Sequence, residues 1–187
     1  MKILRTDLEG VLIVEPEVFS DDRGFFLETY QKNKYQWQGI PVEFVQDNLS
    51  FSRKGTLRGL HYQLPHEQAK LVQVLKGHVF DVTVDIRHGS PTFGRWFGIH
   101  LSDEKVRQLF VPAGLAHGFC VVSDTALFSY KCSDFYAPDC ERGVLWDDSD
   151  LAIDWPAEKP ILSEKDAVFP RLRDIPVDRL PGYKEQV

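Results

Sequence analysis

No apolar run in this sequence approaches the about 18 residues that a membrane span requires. The opening MKILRTDLEGVLIVE has a four-residue apolar core preceded by Asp7 and Glu9, so it reads as no signal peptide. Cysteine is scarce. Cys120, Cys132 and Cys140 cannot complete a disulfide set, and no CxxC pair offers a zinc or dithiol site. These absences predict a cytoplasmic chain with reduced thiols and no membrane partner. An excess of basic charge is missing too. The 22 Lys and Arg against 28 Asp and Glu give a net charge of −6, which argues against a nucleic-acid binder. Gly (13) and Pro (11) are ordinary for 187 residues and exclude collagen-like and low-complexity classes. No G-x-S-x-G string marks a serine nucleophile, and no period of roughly 20–50 residues marks a solenoid. At roughly 150 residues per domain, a single domain over 1–187 is expected.

What the sequence does contain is short strands with frequent punctuation. Residues 79–86 are the clearest: Phe80, Val82, Val84 and Ile86 alternate with Asp81, Thr83 and Asp85, the period of a half-buried strand. Residues 71–75 precede it across Lys76-Gly77-His78, a hairpin-like break. Further strands are expected at 11–14, 25–30, 43–46, 95–101, 107–111, 118–122 and 126–131, with turn signals such as Gly89-Ser90-Pro91 and Pro112-Ala113-Gly114 between them. This spacing argues for an all-β sandwich or barrel, and no alternating helical pattern supports a parallel α/β sheet. Short helices are expected at 28–38 and, from the capping pattern Ser163-x-x-Asp166, at 163–168. Pro156, Pro160, Pro170, Pro176 and Pro181 make the chain from about 150 an irregular wrap around the barrel.

Two histidines have informative settings. His117 closes the string PAGLAH (112–117), which resembles the P-x-G-x-x-H string of cupin barrels, where such a histidine often binds metal. Metal cupins add an H-x-H pair and a glutamate from an earlier strand. Here the counterpart is His61-Tyr62-Gln63, and one imidazole with an amide is a poor site for a divalent transition metal. No bound metal is therefore expected. His61 is then either a satisfied core residue or a general base, since neutral imidazole is a natural base near pH 7. Arg58 and Lys70 have strand-like neighbours that a barrel interior would bring together with it. A base flanked by cations suits an anionic, enolisable substrate, because the cations stabilise the enolate oxygen. Inversion then needs an acid on the opposite face.

Strings that run from 22 to 166 carry a more specific likeness. They are DRGFFLET (22–29), QDN (46–48), LRGLHYQ (57–63), QAKLV (68–72), GHVFDV (77–82), PAGLAHGF (112–119), YKCSDFYAP (130–138), WDD (146–148) and LSEKD (162–166). In this order and spacing the chain resembles the dTDP-4-dehydrorhamnose 3,5-epimerase family. The resemblance implies a cupin-like double-stranded β-helix (a jelly-roll barrel) with short peripheral helices. It implies a homodimer without cofactor, acting on a dTDP-4-keto-6-deoxyhexose in dTDP-L-rhamnose biosynthesis. The reaction would invert C3 and C5, the carbons beside the ketone, through an enolate. It makes His61 the base, Asp166 its orienting partner, Tyr130 the acid and Lys70 the lysine near the keto oxygen. Arg23, Glu28, Gln46, Asn48, Arg58, Lys70, His117, Glu141 and Lys165 match the family's substrate-contact positions.

Read singly, these residues have plainer roles. Asp166 is a helix cap, Tyr130 a buried ring, Arg23 a turn charge, and Glu28 and Glu141 are solvated carboxylates. Phe135 and Tyr136 read equally as core or as rings that stack on a thymine. Arg23, Arg58, Lys70 and Lys165 are expected to make one positive pocket on an acidic surface. An N-terminal strand such as 11–14 is a candidate for exchange between two barrels.

Overall fold

Strands β7 (Lys70–Lys76) and β8 (His78–Asp85) form where the alternation predicts them, yet they lie in different sheets. Gly77 between them turns a corner from one sheet to the other and closes no hairpin. Its φ of +87° and the approach of the Thr125 carbonyl to the place of a Cβ explain why glycine stands there. The computed structural model describes residues 1–184. Ahead of β7 come β1 (Lys2–Arg5), β2 (Leu12–Glu15), β3 (Val18–Asp21), β4 (Gly24–Leu27), helix α1 (Lys32–Trp37), β5 (Gln46–Arg53) and β6 (Leu57–Gln63). After β8 come β9 (Trp96–Ser102), β10 (Gln108–Val111), β11 (Leu115–Val121), β12 (Thr125–Cys132) and β13 (Glu141–Gly143).

One sheet has the order β1-β2-β10-β7-β12-β5, the other β13-β6-β11-β8-β9, and β3-β4 is a separate hairpin. The paired strands of both large sheets are antiparallel, and the architecture is all-β and cupin-like. Between the sheets at one end lies an apolar core that includes Val72, Val79, Leu101, Leu109, Phe119 and Phe128. Helix α1 seals part of the outer face of the first sheet, where Tyr35 and Ile40 pack on Val14, Leu71 and Phe110. The C-terminal segment seals the outer face of the second, where Leu151, Leu172, Ile175 and Leu180 pack on Leu60, Val82, Val84 and Ile86. Among the described residues no helix is long and apolar enough to cross a membrane.

Several expectations are corrected. Strand β8 is buried on both faces: Val82 and Val84 meet the C-terminal segment, while Asp81, Thr83 and Asp85 are fully buried on the other side. The expected strand at 43–46 forms only from Gln46, as β5, because its inward residues are polar and give no apolar signal. Helix α1 covers only Lys32–Trp37, capped by the Gln31 side chain and followed by Gly39 at φ +93°. No helix forms at 163–168. The amide of Asp166 does donate to Ser163 Oγ (3.3 Å), but Pro170 disfavours helical backbone at Phe169, so one turn cannot propagate. Strand β2 pairs with β1 and β10 of its own chain.

Strict alternation would put Arg58 and His61 on opposite faces of β6. A bulge prevents this. Against β11, His61 pairs with His117 while Arg58 pairs with Phe119, so three steps on one strand match two on the other. The bulge rests on Gly59 at φ +133°, where a Cβ would sit 2.5 Å from the Cα of Gly118. Gly59→Ala should therefore destabilise the protein by roughly 3 kcal/mol, combining backbone strain with overpacking. Gly55→Ala, at φ +77° in open space, should cost about 1–2 kcal/mol. Denaturant unfolding of the two variants checks the difference.

Candidate active site

Strand register fixes which side chains face each other. On the first sheet Lys70, Cys132 and Gln46 form one cross-strand row, and Val72, Tyr130 and Asn48 form the next. On the second sheet His61, His117 and Thr83 lie side by side, and Glu141 stands beside Gln63. Between these walls is a cavity of about 370 Å³. Gln46, Asn48, Arg58, His61, Lys70, His117, Tyr130, Glu141 and Lys165 all line it.

Asp166 stands directly behind the cavity. Its Oδ1 lies 2.6 Å from His61 Nε2, and the carboxylate is nearly fully buried. Burial raises the pKa of Asp166, but the hydrogen bond from His61, its charge and the Ser163 contact outweigh that and hold the group below its ordinary value. An ionised carboxylate only accepts, so His61 Nε2 carries the hydrogen of this bond, and in the neutral ring the lone pair lies on Nδ1. Phe169 meets the imidazole edge-on at 5.8 Å, in space that Gly143 leaves open. The Asp166 amide is thus capped by Ser163 Oγ while its side chain holds the His61 imidazole.

Burial also lowers the pKa of Lys70, against the opposing pull of Cys132, Asp81 and Glu141. Burial raises that of Tyr130, which keeps the phenol protonated and able to donate. His117 Nε2 lies 2.9 and 3.0 Å from the two oxygens of Asp81, a buried pair that sequence reading missed. The available signal was the acidic and hydroxyl series Asp81, Thr83 and Asp85 in a strand flanked by apolar residues. Burial raises the Asp81 pKa, and His117 counters it. Lys165 Nζ lies 2.6 Å from Glu141 Oε1, and the Tyr136 hydroxyl donates to Glu141 Oε2 (3.1 Å). Of the two exposed rings, Tyr136 lines the cavity.

Arg23 and Glu28 are not brought to this cavity. Arg23 sits at the β3–β4 turn, bonded to Asp21, and Glu28 pairs with Lys34 at 2.9 Å. His61 and His117 each commit Nε2 to a carboxylate, and the Gln63 amide is bonded to backbone. Among the described residues no group of three or more His, Cys, Asp and Glu side chains is placed to hold a metal ion.

Opposed sheets with a polar end, an oriented imidazole, a buried ammonium and a phenol define a cupin-like protein built for proton transfer. A family model described as dTDP-4-dehydrorhamnose 3,5-epimerase matches residues 5–174, and the chain belongs to that family. It is 55% identical to a dTDP-4-dehydrorhamnose 3,5-epimerase of Shigella flexneri over 89% of this chain and 93% of the relative. It is 48% identical to that of Methanothermobacter thermautotrophicus, over 94% and 97%. A solved dTDP-6-deoxy-D-glucose-3,5-epimerase of Legionella pneumophila, in complex with dTDP-4-keto-L-rhamnose, superimposes with a TM-score of 0.96 at 50% identity, covering 98% of this chain and 99% of that one.

The depressed pKa of Asp166 gives a pH prediction. A carboxylate held low in the folded state adds stability above its unfolded pKa, and this is lost as pH falls through the folded value. Asp166→Asn should therefore lower the urea midpoint most near neutral pH. The gap to the parent should shrink progressively below about pH 4.

Proposed function

We propose that this chain is a dTDP-4-dehydrorhamnose 3,5-epimerase, an isomerase that needs no cofactor and serves dTDP-L-rhamnose biosynthesis. It would convert dTDP-4-dehydro-6-deoxy-D-glucose to dTDP-4-dehydro-L-rhamnose. The observation that carries the reading is the placement of His61 and Tyr130 on opposed sheets of one cavity, with Lys70 one row from Tyr130. His61 Nδ1 takes the proton from the carbon beside the ketone, and Asp166 stabilises the imidazolium that forms. The electron pair moves into an enolate whose oxygen faces the Lys70 ammonium. Tyr130 delivers a proton to the opposite face, which inverts the centre, and the same chemistry serves C5 and C3. A positioned base contributes about 10²–10⁴ in rate and an enolate donor about 10²–10³. Gln46, Asn48, Arg58, His117, Glu141 and Lys165 serve as the substrate contacts around it. The reading takes 1–187 as one domain wrapped by the chain from about 150, and places it in the cytoplasm with its three thiols free.

The same reading makes the protein a homodimer. The β3–β4 hairpin exposes Phe19 (57%), Phe25 (64%) and Phe26 (71%), and a two-stranded hairpin is marginal on its own. Edge strand β5 exposes Leu49 (62%) and Phe51 (63%) on its outer face. Seating the hairpin of one copy on this face of another covers both patches. A second copy would also give a role to Arg23 and Glu28, which their own chain does not bring to its cavity.

In D2O with the keto-sugar, solvent deuterium should enter at both C3 and C5. Label at one carbon only would identify a narrower epimerase, and label at neither would exclude the activity. His61→Ala should fold and lose about 10³-fold or more in kcat. Phe26→Asp should elute as a monomer in light scattering and lose activity with it; an active monomer would remove the dimer from the reading.

A further inference from the structure

One loop at the mouth of the cavity is held by glutamine side chains from three separate segments. Residues 133–137 have no regular secondary structure. Gln63, buried on β6, donates from Nε2 to the carbonyls of His66 (2.7 Å) and Phe135 (3.2 Å) and accepts at Oε1 from the Ala137 amide (2.9 Å). Gln68 Nε2 donates to the Asp134 carbonyl (2.8 Å), and Gln46 Oε1 accepts from the Tyr136 amide (2.9 Å). Each residue from 134 to 137 therefore has one backbone group fixed by a glutamine. Strand β5 belongs to one sheet and β6 to the other, so Gln46 and Gln63 tie the loop to both cavity walls at once. Gln63 makes the most of these contacts, and both of its amide hydrogens are used.

The loop carries Tyr136, a half-exposed ring that lines the cavity and whose hydroxyl is anchored on Glu141. A flat ring fixed at the mouth of a cavity is a stacking surface for a flat ligand group. The side chains His61, Tyr130 and Lys70 instead stand on strands paired within the two sheets.

We propose that Gln63 is a positioning residue that sets the 134–137 loop, so that Tyr136 presents its face to the base of a nucleoside diphosphate sugar. This rests on the epimerase reading and adds to it a division of labour: β6 contributes the base His61 and, two residues later, the anchor of the nucleotide subsite. Without Gln63 the loop gains freedom that binding must remove, and the loss falls on affinity rather than on the chemical step.

The test is a set of variants assayed with dTDP and with the keto-sugar. Gln63→Ala should raise the Kd for dTDP and the KM together by about tenfold, with kcat changed less than about threefold. Deuterium should still enter at saturating substrate. Tyr136→Ala should weaken dTDP binding in the parent, yet add less than about twofold in the Gln63→Ala background, because the two act as one unit. Gln68→Ala removes a single bond at the loop edge and should shift Kd the same way by a smaller factor. Unchanged dTDP affinity in Gln63→Ala, or fully multiplicative effects of the two substitutions, would overturn the proposal. If Gln63→Ala does not fold, Gln68→Ala with parental affinity overturns it instead. Failure of the epimerase reading shows separately, as no deuterium incorporation by the parent protein.

Discussion

A 2.6 Å hydrogen bond joins His61 on β6 to Asp166 in the C-terminal segment, across 105 positions of sequence. The chemistry proposed for the cavity depends on it. It fixes which nitrogen of His61 is free, holds the ring against Phe169 and supplies a charge to balance the imidazolium. The bond exists only because the C-terminal segment is itself pinned. Leu57 and Ile161 are joined by backbone, as are Leu145 and Pro170, and the amide of Leu172 donates to the buried Asp148 carboxylate. Backbone pairing, apolar burial and a capped turn all converge on the placement of one carboxylate.

The space between the sheets is divided. One end is packed with Val79, Leu101, Leu109 and Phe128. The other holds Lys70, Asp81, His117, Tyr130 and Glu141 around open volume. Burying this many titratable groups gains little stability, since their desolvation consumes most of what pairing returns. The same burial keeps the phenol protonated and destabilises the Lys70 ammonium, and in the proposed reaction this favours a developing anion beside it. Cost to the fold and usefulness to the reaction have a single cause.

The strand at 78–85 was legible because its apolar residues repeat with period two, and those at 70–76, 96–102, 108–111 and 125–132 because short apolar stretches stand between turn signals. Strand β5 was nearly invisible, since Gln46, Asn48, Ser50 and Ser52 face inward and Leu49 and Phe51 outward, the reverse of the usual pattern. The sharing of one face by Arg58 and His61 was equally hidden, because a bulge at Gly59 obeys no periodicity. The absence of a second imidazole in His61-Tyr62-Gln63 was visible, but what replaced it was not. Gln63 binds only backbone, and backbone partners leave no trace in composition. Arg23 and Glu28 came from family likeness alone, and one chain does not bring them to the cavity.

The position of Asp166 late in the chain has a consequence for biosynthesis. Among the described residues the thirteen strands end by Gly143, so the residues of both sheets are synthesised before the carboxylate is added. Until residue 166 and its supporting segment clear the ribosome, His61 lacks its partner. The same segment covers the outer face of the second sheet, so a chain cut short there exposes Leu60, Val82, Val84 and Ile86 as it loses the partner of His61.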